Sequence, residues 1–219
     1  MTTDARIPLS RDRVLRAAVQ LADEHGLRAL TMRRLAEELG AEAMSLYYHV
    51  AKKEDVLDGI VDVVAGEIND AVARIEPSPE WRQAVRLRIL TARQVFLRHR
   101  WAPELFETRA STSLAVLKYY DGLVGLMHRG GFSHDRIHHA LHALGSRALG
   151  FSHEVFDPNA GASAEIPADL AAQLPNLVGM LREIAHDDPD STLGWCDDQA
   201  EFEFGLDLIL GGLDRLRDR

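Results

Sequence analysis

The sequence predicts an all-α fold, and three observations carry that prediction. Apolar residues recur at three- and four-residue spacing along most of the 219 residues, and no segment shows the sustained alternation of a half-buried strand. Capping residues, glycines and prolines fall where those helical stretches begin and end. The first helix is expected from Ser10, a cap, to His25, with Val14, Leu15, Ala18, Leu21 and Ala22 inward and Gly26 ending it. Thr31 caps a second, in which Leu35, Ala36 and Leu39 pack while Arg33, Arg34, Glu37 and Glu38 stay wet. Gly40 stops it, because glycine accepts the left-handed backbone of a tight turn. A third helix, Glu42 to Val50, turns Leu46 and Val50 inward and points Ala43, Met44, Ser45, Tyr47, Tyr48 and His49 elsewhere.

The fourth helix starts at Lys53 or Glu54 and carries Val56, Leu57, Ile60, Val61, Val64 and Ile68. It is long enough to join two domains before Pro77 and Pro79 break it. Trp81 to about Arg100 is amphipathic, and a short helix follows Ala102-Pro103 to about Glu107. Ser113 to His128 comes next, closed by Gly130-Gly131, and Ser133 or His134 opens a long helix through His153. The small, polar, proline-bounded stretch 157–167 reads as a mobile loop. Helices from about Ala168 to Ala185 and from about Asp198 to Arg217 finish the chain.

Within this plan, Leu30 to Asp55 reads as a helix-turn-helix: Ala36 lets two helices cross closely, and Leu46, six residues after Gly40, closes the wedge between them. Such a third helix fits a major groove of double-stranded DNA. The division is therefore 1–53, a three-helix DNA-binding domain, and 54–219, a larger helical ligand-binding and dimerisation domain whose first segment, about 54 to 75, is the connector. Charge agrees with it. Residues 1–53 carry nine Lys or Arg against seven Asp or Glu, net +2, whereas 54–219 carry 16 against 27, net −11. Only the first part tolerates phosphates, and its modest charge makes binding depend on two copies and on groove fit.

Other classes are disfavoured. The chain has no run of eighteen apolar residues, and its first residues, MTTDARIPLSRDR, lack the apolar core of a signal peptide, so a cytoplasmic protein without membrane attachment is expected. Cys196 is the single cysteine and forms no internal disulfide. No paired carboxylates, nucleophile motif or phosphate loop points to an enzyme. His138 and His142, with His139 between them and His128, His134 and His153 near, have spacing suited to two zinc ligands. No Cys or Glu-rich partner completes a set, so neither metal nor cofactor is expected.

The block GLRALTMRRLAEELGAEAMSLYYHVAKKEDVLDGI resembles the DNA-binding domain of the TetR family of bacterial repressors, and the run Leu46 to Val50 resembles its tetracycline-repressor branch. Segments around Thr108-Arg109, Gly130-Gly131-Phe132, Leu144-Gly145 to Leu149-Gly150, and Phe204-Gly205-Leu206 to Gly212-Leu213 are similar in order and spacing to that branch's regulatory domain. The resemblance implies a homodimeric repressor on a palindromic operator, released by a small-molecule effector. The alternative is a helical ligand-binding or interaction module with little or no DNA binding.

Side-chain chemistry assigns the reading surface. Arg33 can fork onto guanine O6 and N7, Ala43 and Met44 can press on thymine methyls, and Ser45 can bond a base edge or a phosphate. Glu42 either accepts from cytosine N4 or only favours the helix start. By resemblance, Thr31, Tyr47, His49 and Lys53 grip the backbone, with Lys52 beside the amides that open the fourth helix. Tyr48 either joins them or packs in the small core. A cavity is expected to include Phe96, Trp101, Leu105, Phe106, Leu123 and Met127, with Arg109, Tyr119 or Arg147 as polar anchors. The resemblance places a magnesium-ligating histidine of the tetracycline-binding member at Leu105, drug contacts at Asn69, Gly122 and Ser146, and an acidic metal-site position at Glu154. Glu154 matches its position, but the departures at Leu105, Asn69, Gly122 and Ser146 imply an apolar or aromatic effector instead of tetracycline. Two faces are expected to pair across a dimer: Ile137, Leu141, Leu144, Ala148 and Phe151 on one helix, Phe204, Leu208, Gly211, Gly212 and Leu216 on the other.

Overall fold

A computed structural model describes residues 8–109, 113–149, 172–176, 178 and 198–217; the regular structure among them is helical, with no strand. The order is α1 (Arg11–His25), a 3-10 turn (Leu27–Ala29), α2 (Met32–Glu38), α3 (Ala43–Leu46), α4 (Lys53–Val72), α5 (Trp81–Arg98), α6 (Ala102–Thr108), α7 (Leu114–Arg129), α8 (His134–Leu149) and α9 (Asp198–Arg215). Helix starts follow the capping residues. Ser10 Oγ accepts from Arg13 N at 3.2 Å, Thr31 Oγ1 from Arg34 N at 3.2 Å, and Ser113 Oγ from Val116 N at 3.1 Å. Each satisfies one amide left open at a helix start. Gly40 takes φ 61°, and Ala41 N donates to Ala36 O at 2.9 Å, closing the turn between α2 and α3.

Two elements are shorter than the sequence predicts. Helix α3 covers only Ala43–Leu46, and 47–49 form a turn in which His49 N and Val50 N both donate to Leu46 O, at 2.9 and 3.0 Å. The run Tyr47-Tyr48-His49-Val50 has weak helix propensity, and the turn draws Val50 back into the core, where it is buried. Helix α4 ends at Val72, ahead of the proline pair, because the chain tightens through Arg74 N to Ala71 O and Ile75 N to Val72 O. The backbone before a proline avoids the helical region. The loop expected at 157–167, Phe151, His153 and most of the helix expected at 168–185 lie outside the described residues.

Two apolar clusters hold the protein. One gathers Val14, Leu15, Leu35, Leu46, Val56, Ile60 and Val64 with Val95, Phe96, Trp101 and Leu105, so it runs without a break from α1–α3 across α4 to α5 and α6. Helices α1 and α4 cross closely at Gly59, where a Cβ would collide with the Leu15 side chain. The second cluster joins Trp81, Val85, Ile89, Leu123, Met127, Phe132, Ile137, Leu144, Phe202, Leu206 and Leu210 from α5, α7, α8, α9 and the α7–α8 turn. Arg86 pins α9 to α5, with Nη2 2.5 Å from Glu203 Oε2 and Nε 2.8 Å from Asp207 Oδ1.

Candidate nucleic-acid interface and effector cavity

One buried residue organises the candidate reading surface. Leu46 is fully buried and anchors α3 against α1 and α2, so neighbouring positions on that one-turn helix turn outward. Met44 is 71 % exposed, Tyr48 90 % and Tyr47 43 %. An isolated head has no reason to leave two aromatic rings and a thioether in water together, since such side chains normally bury. The core alternative for Tyr48 is therefore ruled out by its placement. Ala43 packs partly against the core, and Ser45 and His49 are half-buried beside the exposed patch.

On either side of this patch in the chain are groups of the kind that meet DNA. Thr31 is exposed and already bonded to the start of α2. Arg33 projects from α2 with its side chain 87 % exposed, held only by an i,i+4 contact of 3.4 Å to Glu37. Glu42 precedes α3 without a side-chain cap bond; its carbonyl accepts from Ser45 N at 2.9 Å. Lys52 and Lys53 are exposed at the start of α4, where no side chain caps the helix, although Glu54 and Asp55 in the first turn offset part of the positive end.

A second feature lies in the body. A cavity of about 50 Å³ opens among Ala65 and Ile68 of α4, Ile89, Ala92 and Phe96 of α5, Phe106 of α6, Val116, Tyr119, Tyr120 and Leu123 of α7, and Leu141, Leu144, Gly145 and Ala148 of α8. Five helices thus supply a wall that is almost wholly apolar. Phe96 and Phe106 meet edge-to-face at 5.2 Å between centroids. The Arg88 guanidinium lies 4.8 Å from the Tyr119 ring centre and donates to the Tyr119 carbonyl at 2.9 Å, fixing that ring from behind. Desolvation pushes the Tyr119 phenol well above its ordinary pKa, so it stays a neutral donor.

Several expected residues are used elsewhere. Phe96, Phe106, Tyr119 and Leu123 line the cavity, but Trp101, Leu105, Arg109, Met127 and Arg147 do not. Trp101 donates from Nε1 to Asp23 Oδ1 at 2.6 Å, and Leu105 is packed into the first cluster. Arg109 bonds Asp58 and the Glu54 carbonyl on α4. Met127 is buried in the second cluster, and Arg147 lies over Phe202 and donates to the Glu201 carbonyl at 2.5 Å. A guanidinium surrounded by carboxylates and carbonyls is drawn to them in preference to an apolar void.

The dimer face also needs correction. Ile137 and Leu144 are 2 % exposed and belong to the chain's own second cluster, while Leu141, Leu144 and Ala148 line the cavity. What α8 turns outward is His138, His139, His142, Ala143 and Ser146. On α9 the expectation matches an exposed apolar row: Phe204 is 64 % exposed, Leu208 61 % and Leu216 55 %, with Gly211 and Gly212 half-buried between them. The α4 and α8 contributions to the cavity were missed, although Ala65 and Ile68 lie a turn apart on one face of α4, spacing that could have found them.

Three positions that the resemblance compares with drug contacts offer the cavity nothing polar. Asn69 Nδ2 donates to the Ala115 carbonyl at 2.7 Å, Ser146 Oγ to the His142 carbonyl at 2.9 Å, and Gly122 has no side chain to offer. Among the described residues, no helix is long and apolar enough to cross a membrane.

Comparison with known proteins agrees along nearly the whole chain. The model for the tetracyclin repressor-like C-terminal domain matches residues 76–217, and that for bacterial regulatory proteins of the tetR family matches 14–60. An HTH-type transcriptional regulator of Saccharopolyspora erythraea is 31 % identical over 212 residues, covering 94 % of this chain and 84 % of the relative. The class C tetracycline repressor of Escherichia coli is 28 % identical over 215 residues, covering 95 % and 92 %. Among solved structures, a protein described as a possible TetR family transcriptional regulator from Streptomyces coelicolor A3(2) has a TM-score of 0.76 at 27 % identity, covering 95 % of this chain and all of that one. The TetR family protein ActR of Streptomyces coelicolor, in complex with actinorhodin, has a TM-score of 0.70 at 27 % identity, covering 97 % and 100 %.

Proposed function

The chain belongs to the TetR family of ligand-responsive, DNA-binding transcriptional regulators and is not an enzyme, and from that premise we propose how it works. Residues 1–53 form a reading head that enters a major groove with Ala43, Met44, Ser45, Tyr47 and Tyr48. Arg33 and Glu42 read base edges, and Thr31, His49, Lys52 and Lys53 hold phosphates. Residues 54–219 pair two copies and bind the effector in the cytoplasm. The observation that carries this reading is the outward Met44–Tyr47–Tyr48 patch on the buried Leu46 anchor.

A single short reading helix touches few bases, so two heads on a palindromic operator supply the specificity. The row Phe204, Leu208 and Leu216 on α9 is the face offered to a second copy, together with the outward side of α8. The effector is neutral and apolar or aromatic, because the cavity presents almost only hydrocarbon and aromatic walls. Drug-sized ligands occupy sites of roughly 300–1,000 Å³, so a cavity of about 50 Å³ must open to admit one. Opening displaces α4 through Ala65 and Ile68, and α4 carries the heads. A coupling of about 1–3 kcal/mol loosens the operator roughly 5- to 150-fold.

The test is fluorescence anisotropy of the purified protein on a palindrome selected from random duplexes, titrated with aromatic, lipid-like and antibiotic compounds, including tetracycline with magnesium. Release by a neutral aromatic compound and not by tetracycline is the expected result. Release by tetracycline overturns the effector assignment, and failure to enrich any palindrome overturns the reading head.

A further inference from the structure

His99 sits where three helices meet. It caps the C-terminal end of α5 and is 6 % exposed, yet both ring nitrogens face acids. Nδ1 lies 2.9 and 3.0 Å from the two Asp23 oxygens on α1, and Nε2 lies 3.1 Å from Glu67 Oε2 on α4. An ionised carboxylate only accepts, so both contacts are hydrogen bonds only when both ring nitrogens carry protons. A neutral imidazole has one N–H and turns a lone pair toward the other acid.

The surroundings complete the account of charge. Asp23 also receives Trp101 Nε1 at 2.6 Å from the α5–α6 turn, and the Trp101 ring packs beside the imidazole at 5.9 Å between centroids. Glu67 is approached by Arg98 of α5 at 3.5 Å and attracts Arg16 of α1. The carbonyl end of α5 adds partial negative charge at His99 itself. Two acids and a helix C-terminus therefore bear directly on the ring, and Arg98 shares with it the Glu67 oxygen that faces Nε2.

We propose that His99 is a positioning residue for DNA reading: as an imidazolium it ties the head, through Asp23, and the connector, through Glu67, to the body, and losing its proton releases one of those ties. Helix α1 is part of the head and α4 leads out of it, so the charge on one ring fixes the pose of the helix-turn-helix relative to α5. The consequence for operator binding rests on the DNA-binding reading above; the tie itself does not.

Two measurements on the full chain separate them. The first is urea unfolding of a double-mutant cycle, Asp23→Asn with His99→Gln, at about pH 6 and about pH 8.5. The pair is expected to be coupled on the order of tenfold in the unfolding equilibrium at the lower pH, with most of that lost at the higher. Equal coupling at both values overturns the tie. The second is operator affinity over the same range. The unaltered chain should change several-fold more than His99→Gln, a comparison that isolates the His99 ring. His99→Lys, which keeps a cation, should hold its affinity across the range. Parallel profiles for all three proteins overturn the positioning role, and absence of any operator defeats the DNA reading while the urea cycle still decides the tie.

Discussion

Arg33 gives the sharpest test of the reading head, because its removal separates contact from structure. Its side chain is 87 % exposed and its one partner, Glu37, is 3.4 Å away on the same helix. An exposed i,i+4 pair is worth about 0.3–0.5 kcal/mol, so Arg33→Ala should leave the urea midpoint almost unchanged. A bidentate contact to guanine is worth about 1–3 kcal/mol of discrimination, and two symmetric half-sites lose about 2–6 kcal/mol together. Each half-site should therefore relax roughly 5- to 150-fold at one base pair, with the other positions read as before. Lys53→Ala, at an exposed position proposed to hold a phosphate, is the control. It should weaken all sequences alike and lower the salt slope by about 1 per head. The assay is anisotropy on the selected palindrome and every single-pair substitution of it, at several salt concentrations. If Arg33→Ala keeps full discrimination, or weakens all sequences with a reduced salt slope as Lys53→Ala should, the base-reading assignment is refuted.

Tyr48→Ala removes a ring that is 90 % exposed, so unfolding should shift by no more than about 0.5 kcal/mol while operator affinity falls; a larger loss of stability in urea argues that the ring packs. Leu208→Glu should convert the dimer to monomer in sedimentation equilibrium without loss of helicity by circular dichroism, since this side chain is 61 % exposed within one copy. Persistence of the dimer counts against α9 as the pairing face. Gln199 and then Arg86 hold the Glu203 carboxyl below its ordinary pKa. Its stabilising effect is thus present above the unfolded carboxylate value of about 4.3 and is lost as pH falls through the lower native value. With the side chain 34 % exposed, the effect is discounted to under about 1 kcal/mol. Urea midpoints of Glu203→Gln and the unaltered chain should differ at neutral pH and converge in acid, and a gap that survives at the lowest pH refutes the ionic account.

Local signals explain what the sequence made legible. Ser10, Thr31 and Ser113 cap helices because a hydroxyl one position before an apolar period has an open amide within reach. The head was legible because Leu35, Leu46 and Val50 pack within one short stretch of the chain, from α1 to the start of α4. Long-range choices were not. Arg109 and Arg147 have the chemistry of ligand anchors, but which carboxylate or carbonyl captures each guanidinium depends on segments about fifty residues away. Likewise an apolar stripe on α8 looks the same whether it meets a second copy, a cavity or its own chain. Leu144 turned out to face the chain's own core and the cavity.

That assignment of α8 changes how a signal can travel. Leu141, Leu144, Gly145 and Ala148 form one wall of the cavity, while His138, His142 and Ser146 of the same helix are exposed. Across the cavity, Ala65 and Ile68 belong to α4, whose other end begins at Lys53 beside the reading surface. An effector too large for the void pushes on both walls at once. If α8 is held by pairing with a second copy, it yields less, and the displacement goes into α4. Pairing is then more than a means of supplying two heads: it gives the cavity one stiff wall, so that opening turns into movement of the connector. Closely packed interiors favour this, because they shift between discrete arrangements more readily than they deform continuously.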